Sequence, residues 1–309
     1  MIRLLLITLL LLSNGAISAP NIVVSIAPIH SLASSITQGI TNPNLLLKTN
    51  QSAHHFHLKP SQLSLIENAD LVIAIHPNME EGLNKVLSSL PQQRKIYVAN
   101  DKHDEHDEHD EHDEHDEHDE HDEHDEHDEH DEHDEHSNSS QNYHLWLDIN
   151  QMQNFAKQLT DKLIKIDQSN SATYQKNLAQ VNQKLEQLKR NINQQLSKVK
   201  LAPIATYSNT FEYFIHSNHL QQSTTVTRSH GDRLSIQKIL KAKQSIKTNQ
   251  TKCLLSTTEI PAKRIAVLTE GLNINTASID IMGYQLNKGT THYFDLMQNI
   301  ANKVKQCLQ

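Results

Sequence analysis

Short apolar runs alternate with longer helical patterns through the first hundred residues. Strands are predicted over residues 21–27, 45–48, 71–76 and 95–99, with helices between them over residues 29–39, 61–68 and 79–90. The run Leu-Val-Ile-Ala-Ile-His at 71–76 is almost wholly apolar, as expected of a parallel strand that is buried on both faces. Alternation of this kind predicts an α/β lobe with a parallel sheet and right-handed crossovers.

A longer apolar stripe follows a predicted helix over residues 151–166. Its members recur at steps of three and four and are Tyr174, Leu178, Val181, Leu185, Leu188, Ile192, Leu196 and Val199. The spacing predicts one helix of about eight turns, roughly 45 Å long. Two interpretations remain open: a coiled coil with another chain, or a helix that packs along the body of its own protein.

A second alternating half completes the chain. Strands are predicted over residues 203–207, 224–227, 253–257 and 277–281, and a final helix over residues 293–308. The expected domains are a first α/β lobe over residues 19–150, a helical connection over 151–199 and a second α/β lobe over 200–309. Two lobes with parallel sheets, joined by one long rigid helix, leave a cleft where small ligands bind.

Residues 103–136 repeat the triplet His-Asp-Glu eleven times and close on one more histidine. The repeat has no apolar residue and cannot fold by burial, so a disordered loop is expected over residues 101–141. Neutral imidazoles and carboxylates bind divalent cations, with zinc the first candidate. The alternative is a solvated acidic loop with no metal role. The candidate auxiliary ligands are His103, His106, His109, His112, His115, His118, His121, His124, His127, His130, His133 and His136.

The repeat also dominates the charge of the chain. The formal net charge is −9 at pH 7, and the repeat carries eleven aspartates and eleven glutamates, so the rest of the chain is basic. Its basic side chains are mostly lysines scattered among asparagine and glutamine, without an arginine cluster or interleaved aromatic residues. A nucleic-acid partner is therefore not expected.

The N-terminus has the pattern of a cleaved secretory signal. Arg3 precedes an apolar run at 4–12, and small residues at 16–18 offer a cleavage site after Ser18. The run is too short to span a bilayer comfortably, and no cysteine follows it to carry a lipid. Residues 1–18 are therefore predicted to direct export, most simply to a bacterial periplasm. The alternative is a core helix at the start of a cytosolic protein.

The only cysteines are Cys253 and Cys307. In an exported protein, two cysteines with none left over predict one disulfide, which here would tie the last helix to a strand. A cysteine-based zinc site is disfavoured because two distant thiols lack a Cys-x-x-Cys pair.

Four stretches carry candidate metal ligands, and each lies at or just past a predicted strand end or where ordered sequence resumes. They are Ser-Ala-His-His-Phe-His-Leu-Lys-Pro-Ser at 52–61, Asn-Tyr-His-Leu-Trp-Leu-Asp at 142–148, Tyr-Ser-Asn-Thr-Phe-Glu-Tyr-Phe at 207–214 and Ile-Asp-Ile-Met-Gly at 279–283. All four can face one cleft.

In this order, the four stretches resemble the metal-binding component of bacterial ABC uptake transporters for zinc and manganese. The pattern His-x-[Phe/Tyr]-x-x-[Lys/Arg]-Pro-Ser lies at 54–61 and Asn-x-His-x-Trp at 142–146. The resemblance spans nearly the whole mature chain and is closer to the zinc branch, which also has an acidic His-rich loop before the second motif and a matching cysteine pair. It implies His54, His144 and Asp280 as metal ligands. It also implies Zn²⁺ as the transported ligand, a membrane permease as partner, a monomer, and no enzymatic activity.

The chain departs from the family at one expected ligand. The position that holds a third histidine in the zinc branch, or a glutamate in the manganese branch, is Ser208 here, and an acidic residue of some zinc members is replaced by Ala53. A hydroxyl competes poorly with imidazole or carboxylate for zinc. The fourth ligand is therefore water, Ser208 or another histidine, of which His55 is the nearest in sequence. Three further histidines could reach the cleft only if their loops fold toward it: His216, His219 and His230.

Other functions are compatible with parts of the pattern. The protein could bind manganese or another divalent metal, or it could be a metal-buffering or adhesion protein in which the repeat is the function. Three protein ligands and a water also describe a catalytic zinc, so an exported zinc hydrolase is a further alternative. The hydrolase is the least favoured, because no His-Glu-x-x-His helix occurs and no glutamate follows His54 or His144 at a useful spacing.

Overall fold

The computed structural model describes residues 19–48, 51–99, 141–229 and 234–309. The predicted signal peptide, the His-Asp-Glu repeat and His230 lie outside these ranges. The described chain forms two parallel four-stranded sheets flanked by helices, with a long helix between the two lobes. The predicted fold class is confirmed.

The first lobe contains a parallel sheet in the order β2-β1-β3-β4. Its strands are β1 (Ile22–Val24), β2 (Asn44–Leu45), β3 (Leu71–Ala74) and β4 (Lys95–Tyr97). Its helices are α1 (Ala27–Ile36), α2 (Pro60–Glu67) and α3 (Glu81–Ser89). All four residues of β3 are buried, as its apolar run predicted. The prediction that the first strand runs to residue 27 was wrong, because α1 begins there with Pro28 in its first turn, where proline favours helix initiation.

The connection between the lobes consists of α4 (Ile149–Ile166) and α5 (Ser171–Leu196). The 26 residues of α5 make it about 39 Å long, somewhat shorter than predicted. Its buried residues are Tyr174, Asn177, Val181, Leu185, Leu188, Ile192 and Leu196. This face packs against α4, α1 and the last helix of the same chain. The coiled-coil interpretation is therefore wrong, because the apolar stripe is covered from within the protein.

The second lobe repeats the architecture, with strand order β6-β5-β7-β8 and every pair parallel. Its strands are β5 (Ile204–Thr206), β6 (Gln222–Thr225), β7 (Cys253–Thr257) and β8 (Asn275–Ile279). Its helices are α6 (Glu212–Ser217), α7 (Ile236–Thr248), α8 (Ala262–Thr269) and α9 (His292–Leu308). The fourth strand ends two residues earlier than predicted, because the backbone of residues 282–284 turns back to donate hydrogen bonds to the carboxylate of Asp280.

The two lobes share one continuous hydrophobic core. Trp146 is fully buried, and its indole Nε1 donates a hydrogen bond of 3.0 Å to the carbonyl oxygen of Ile281 in the second lobe. The hydroxyl of Tyr293 on α9 donates in turn to the carbonyl oxygen of Trp146 at 2.9 Å. A disulfide joins Cys307, near the end of α9, to Cys253 at the start of β7. The helix α9 thereby links the second sheet to α1 and α5.

In the part of the chain that the structure describes, every helix is too short or too polar to cross a membrane.

A completely buried carboxyl group, that of Glu80, lies directly before α3. Its Oε2 accepts hydrogen bonds from the backbone N–H groups of Ile75 (2.7 Å) and His76 (3.3 Å), whereas Oε1 has no hydrogen-bond partner among the described residues. Burial raises the pKa of Glu80 to about 7, and the Ser25 hydroxyl and the two N–H groups only partly offset the increase. The charged form is thus disfavoured in the folded protein.

This burial predicts a stability change in Glu80→Gln that depends on pH. The folded-state pKa exceeds the unfolded-state value of about 4.5, so the wild type loses stability as the pH rises from 4.5 through 7. The variant has no such group, and at pH 8 we expect it to be more stable than the wild type by about 3 kcal/mol. The two proteins should have equal stability near pH 4. Urea denaturation of both at each pH isolates the effect, and a difference that does not change with pH would contradict it.

Candidate metal site

His54 lies in the loop between β2 and α2, and the residues around it fix the path of this loop. At its far end, the Lys-Pro-Ser part of the motif starts α2, where the N–H of Lys59 donates to Oε1 of Gln62. The loop also packs against the first turn of α3. A Cβ atom on Gly82 would lie 2.3 Å from the carbonyl oxygen of Phe56, so only glycine permits this approach.

His144 directly precedes a 3₁₀ turn, Leu145–Leu147, and is 5% exposed. Its ring lies next to that of His54, with 5.5 Å between the ring centroids and 49° between the planes. The ring of Trp146 is a second neighbour of His144, with 5.1 Å between the two ring centroids. Two imidazoles from stretches about ninety residues apart in sequence are thus brought side by side.

The electrostatic surroundings favour the neutral form of His54. Burial lowers its pKa, and the nearby His55 lowers it further, while Glu81 acts in the opposite direction. A neutral imidazole is the form that binds a metal ion, so His54 remains ready to bind at a lower pH than an exposed histidine would.

Asp280 follows β8, and its carboxylate is held by the backbone of the next turn. Oδ1 accepts from the N–H groups of Met282 (2.9 Å) and Gly283 (2.8 Å), and Oδ2 accepts from that of Tyr284 (2.6 Å). Gly283 has a φ of +66°, and a Cβ there would lie 2.8 Å from the ring of His292, so the turn requires glycine. This hydrogen bonding explains why the chain leaves the sheet after Ile279.

The structure brings together two of the three predicted ligands. The carboxylate of Asp280 is bonded to the backbone of its own turn, and its charge acts on Glu259, Tyr284, Lys288 and His292. Within the described ranges, no group of three or more histidine, cysteine, aspartate or glutamate side chains is close enough to hold a metal ion. The ligand role of Asp280 therefore stays a prediction.

The candidate fourth ligands lie in different surroundings. Ser208 is 3% exposed, and its Oγ is 2.9 Å from Oγ1 of Thr210. His55 is exposed, with its ring centroid 6.3 Å from that of His54. His216 and His219 are exposed on and just after α6.

Two functional candidates were missed in the sequence. Glu259 lies two residues after the end of β7, and partial desolvation raises its pKa, with the charge of Asp280 adding to the increase and Ser52 and His55 opposing it. It therefore faces both the loop of His54 and the turn of Asp280. The sequence signal was its place at the carboxyl end of a central strand. The other is Asn142, which the sequence shows only as a member of the second motif and whose amide oxygen lies within hydrogen-bond distance of the backbone and ring of His144.

Comparison with known proteins identifies the family of this chain. The model of the ZnuA family, described as zinc-uptake complex component A, periplasmic, matches residues 22–307. The chain belongs to this family. The high-affinity zinc uptake system protein ZnuA of Brucella abortus (strain 2308) is 32% identical over 304 residues, which cover 93% of this chain and 91% of that protein. The protein of the same name from Haemophilus influenzae is 30% identical and covers 96% of each chain.

Solved structures of similar fold support the architecture. A crystal structure of ZnuA matches with a TM-score of 0.71 at 18% identity, over 94% of this chain and all of that one. The periplasmic zinc binding protein TroA from Treponema pallidum matches with a TM-score of 0.70 at 14% identity, over 94% and 99%. FpvC from Pseudomonas aeruginosa in complex with Mn²⁺ matches with a TM-score of 0.72 at 15% identity, over 94% and 98%. At these identities the likeness concerns the fold.

Proposed function

We propose that this protein binds one Zn²⁺ ion tightly between its lobes and delivers it to the membrane permease of an ABC importer. The observation that carries the proposal is the contact between the His54 and His144 rings, which come from two separate motifs. Asp280 is the third ligand, and water or Ser208 completes the coordination. Two neutral imidazoles and one carboxylate suit zinc, which binds such ligands at about 2.0–2.2 Å.

Membership of the family supports zinc as the transported ion, since several relatives are named high-affinity zinc uptake proteins. Manganese is the second candidate, because a protein of the same fold holds Mn²⁺. Imidazole favours zinc over manganese, and this site has two imidazoles for one carboxylate. Membership of a family of uptake components also supports a role in binding and not in catalysis.

The proposed function also includes export, collection of zinc by the repeat and release of the ion at the permease. The protein is exported to the periplasm through cleavage after residue 18, and it acts as a monomer. The His-Asp-Glu repeat collects zinc at many weak, fast-exchanging sites and raises its concentration near the cleft. The long helix α5 packs against α4, α9 and α1. This packing limits the opening of the lobes, so that release needs only small movements when the protein docks on the permease.

Isothermal titration with Zn²⁺ tests this division of roles on the full exported chain and on a form that lacks residues 103–136. We expect the full chain to show one tight site and several weak ones, and the deletion to keep the tight site only, because the cleft ligands lie outside the repeat. A parallel titration with Mn²⁺ should give weaker binding. Loss of the tight site on deletion would overturn the proposal. Tighter binding of Mn²⁺ than of Zn²⁺ would identify manganese as the transported ion.

Restoring the histidine that the family places at position 208 should strengthen the site. We expect Ser208→His to tighten Zn²⁺ binding by about tenfold or more, because imidazole is a better zinc ligand than a hydroxyl. Since Ser208 is buried against Thr210, a thermal melt of the variant must accompany the titration. Ser208→Ala is the matched control, and binding as tight as that of the wild type would assign the fourth position to water. Weaker binding by this control would show that the serine hydroxyl is itself a ligand.

A further inference from the structure

Asn142 lies two residues before His144 and contacts both lobes. We propose that it is a positioning residue, which fixes the tautomer and orientation of the His144 ring and makes them depend on contact between the lobes. This inference rests on the proposed function in one respect only: it takes His144 to be a zinc ligand.

The tautomer of His144 follows from the hydrogen bonds of Asn142. The backbone N–H of His144 can only donate, and it lies 3.0 Å from Oδ1 of Asn142, so that atom must be the amide oxygen. The same oxygen is 2.9 Å from Nδ1 of the His144 ring. Because this oxygen can only accept, Nδ1 must carry the proton. In the neutral ring the lone pair is then on Nε2, the nitrogen left to bind a metal ion.

The other end of the same amide reaches the second lobe. Nδ2 of Asn142 donates to the carbonyl oxygen of Asn209 at 2.7 Å and to Oε2 of Glu212 at 3.1 Å. Both of its hydrogens therefore have acceptors, and the amide cannot turn without losing these bonds. Asn209 directly follows Ser208, so the contact lies beside the corner of the site where the family has its third histidine.

These contacts couple the ring to the position of the lobes. When the lobes are together, the second lobe holds the amide, and the amide holds the ring with Nε2 available. Separation of the lobes at this edge removes the bonds of Nδ2, so the amide and the ring gain rotational freedom. Removing a residue that holds a metal ligand by a hydrogen bond typically weakens the metal affinity of the site by about 10- to 100-fold.

The first experiment measures the tautomer of the His144 ring directly. Long-range ¹⁵N–¹H correlation spectra of the metal-free full chain at pH 8 report which nitrogen of each histidine carries the proton, and His144→Ala identifies the signal of His144. We expect the wild type to show protonated Nδ1 and Asn142→Ala to show a mixture of tautomers. The same variant should bind Zn²⁺ about 10- to 100-fold more weakly. Asn78→Ala is the matched control, because the amide of Asn78 donates to the hydroxyl of Tyr143, the residue before His144.

The second experiment tests the link to the second lobe. In Asn142→Asp, one carboxylate oxygen still accepts from His144, but the other faces the carbonyl of Asn209 and the carboxylate of Glu212, which both repel it. We expect this variant to bind Zn²⁺ at least tenfold more weakly than the wild type. Adding Glu212→Gln replaces one repulsion by an N–H donor and should recover about fivefold of the loss.

The outcomes separate the inference from the proposed function. Protonated Nδ1 in both the wild type and Asn142→Ala would overturn the role of Asn142, whatever the affinity for zinc. Equal affinities of Asn142→Asp with and without Glu212→Gln would overturn the coupling to the second lobe. If the tautomer changes as expected but His144→Ala binds Zn²⁺ as tightly as the wild type, the positioning stands and the proposed zinc site fails.

Discussion

The His144→Ala variant is expected to lose the tight zinc site. Structural zinc sites with four ligands have apparent binding free energies of about 10–16 kcal/mol, so one ligand accounts for about 3–4 kcal/mol. The expected loss of affinity is thus about 100- to 1,000-fold. His54→Ala should have the same effect, since its ring is the neighbour of His144 in the site. Competition with a chelator of known affinity measures the loss, and the weak sites of the repeat should be unaffected.

The matched control for these variants is His57→Ala. His57 belongs to the same loop and is exposed, but it occupies a variable position of the first motif. We expect its removal to leave the tight site unchanged. If His57→Ala weakened binding as much as His54→Ala, the loss would reflect a disturbed loop and not a lost ligand. Unchanged affinity in both His54→Ala and His144→Ala would exclude the proposed site.

Removal of the disulfide is expected to cause the largest loss of stability. Cys253 and Cys307 are both buried and are separated by 54 positions in sequence. The entropy of the unfolded chain predicts that a bond closing such a loop stabilises the protein by about 4 kcal/mol. In a chain of this size, Cys253→Ala combined with Cys307→Ala should lower the Tm by about 10 °C. Calorimetry with a chelator present avoids stabilisation by bound metal.

Reduction of the wild type provides the control for the double variant. The reduced protein has an unchanged sequence, so a Tm close to that of the double variant assigns the effect to the bond and not to the lost sulfur atoms. A reduced wild type that melts at the temperature of the oxidised protein would contradict the prediction. The Glu80→Gln variant can be measured alongside, because its effect has the opposite sign at pH 8.

The elements of the fold were predictable where the signal is local. The apolar run at β3 and the stripe of α5 reflect burial that each segment needs wherever it packs. The ends of elements were less predictable, because they depend on particular bonds. The sheet ends at Ile279 because Asp280 accepts three backbone N–H groups, and these bonds cannot be inferred from hydrophobic periodicity.

The candidate site was likewise predictable only where the signal lies within one segment of the chain. His54 and His144 could be named from the sequence because each lies in a short motif, and the fold places their rings side by side. The proximity of Glu259 to Asp280 and the contacts of Asn142 with Asn209 and Glu212 could not be predicted. They depend on the approach of segments that are distant in sequence.

By itself, the sequence determined two parallel α/β lobes, a long helix and the two histidine motifs, because periodicity and short motifs act within one segment of the chain. Only the tertiary structure decided that α5 is covered by α4, α1 and α9 and not by another chain. It also decided that the side-chain amide of Asn142 reaches Asn209 and Glu212 in the second lobe. Both depend on contacts between segments far apart in the chain, which form only when the lobes pack together.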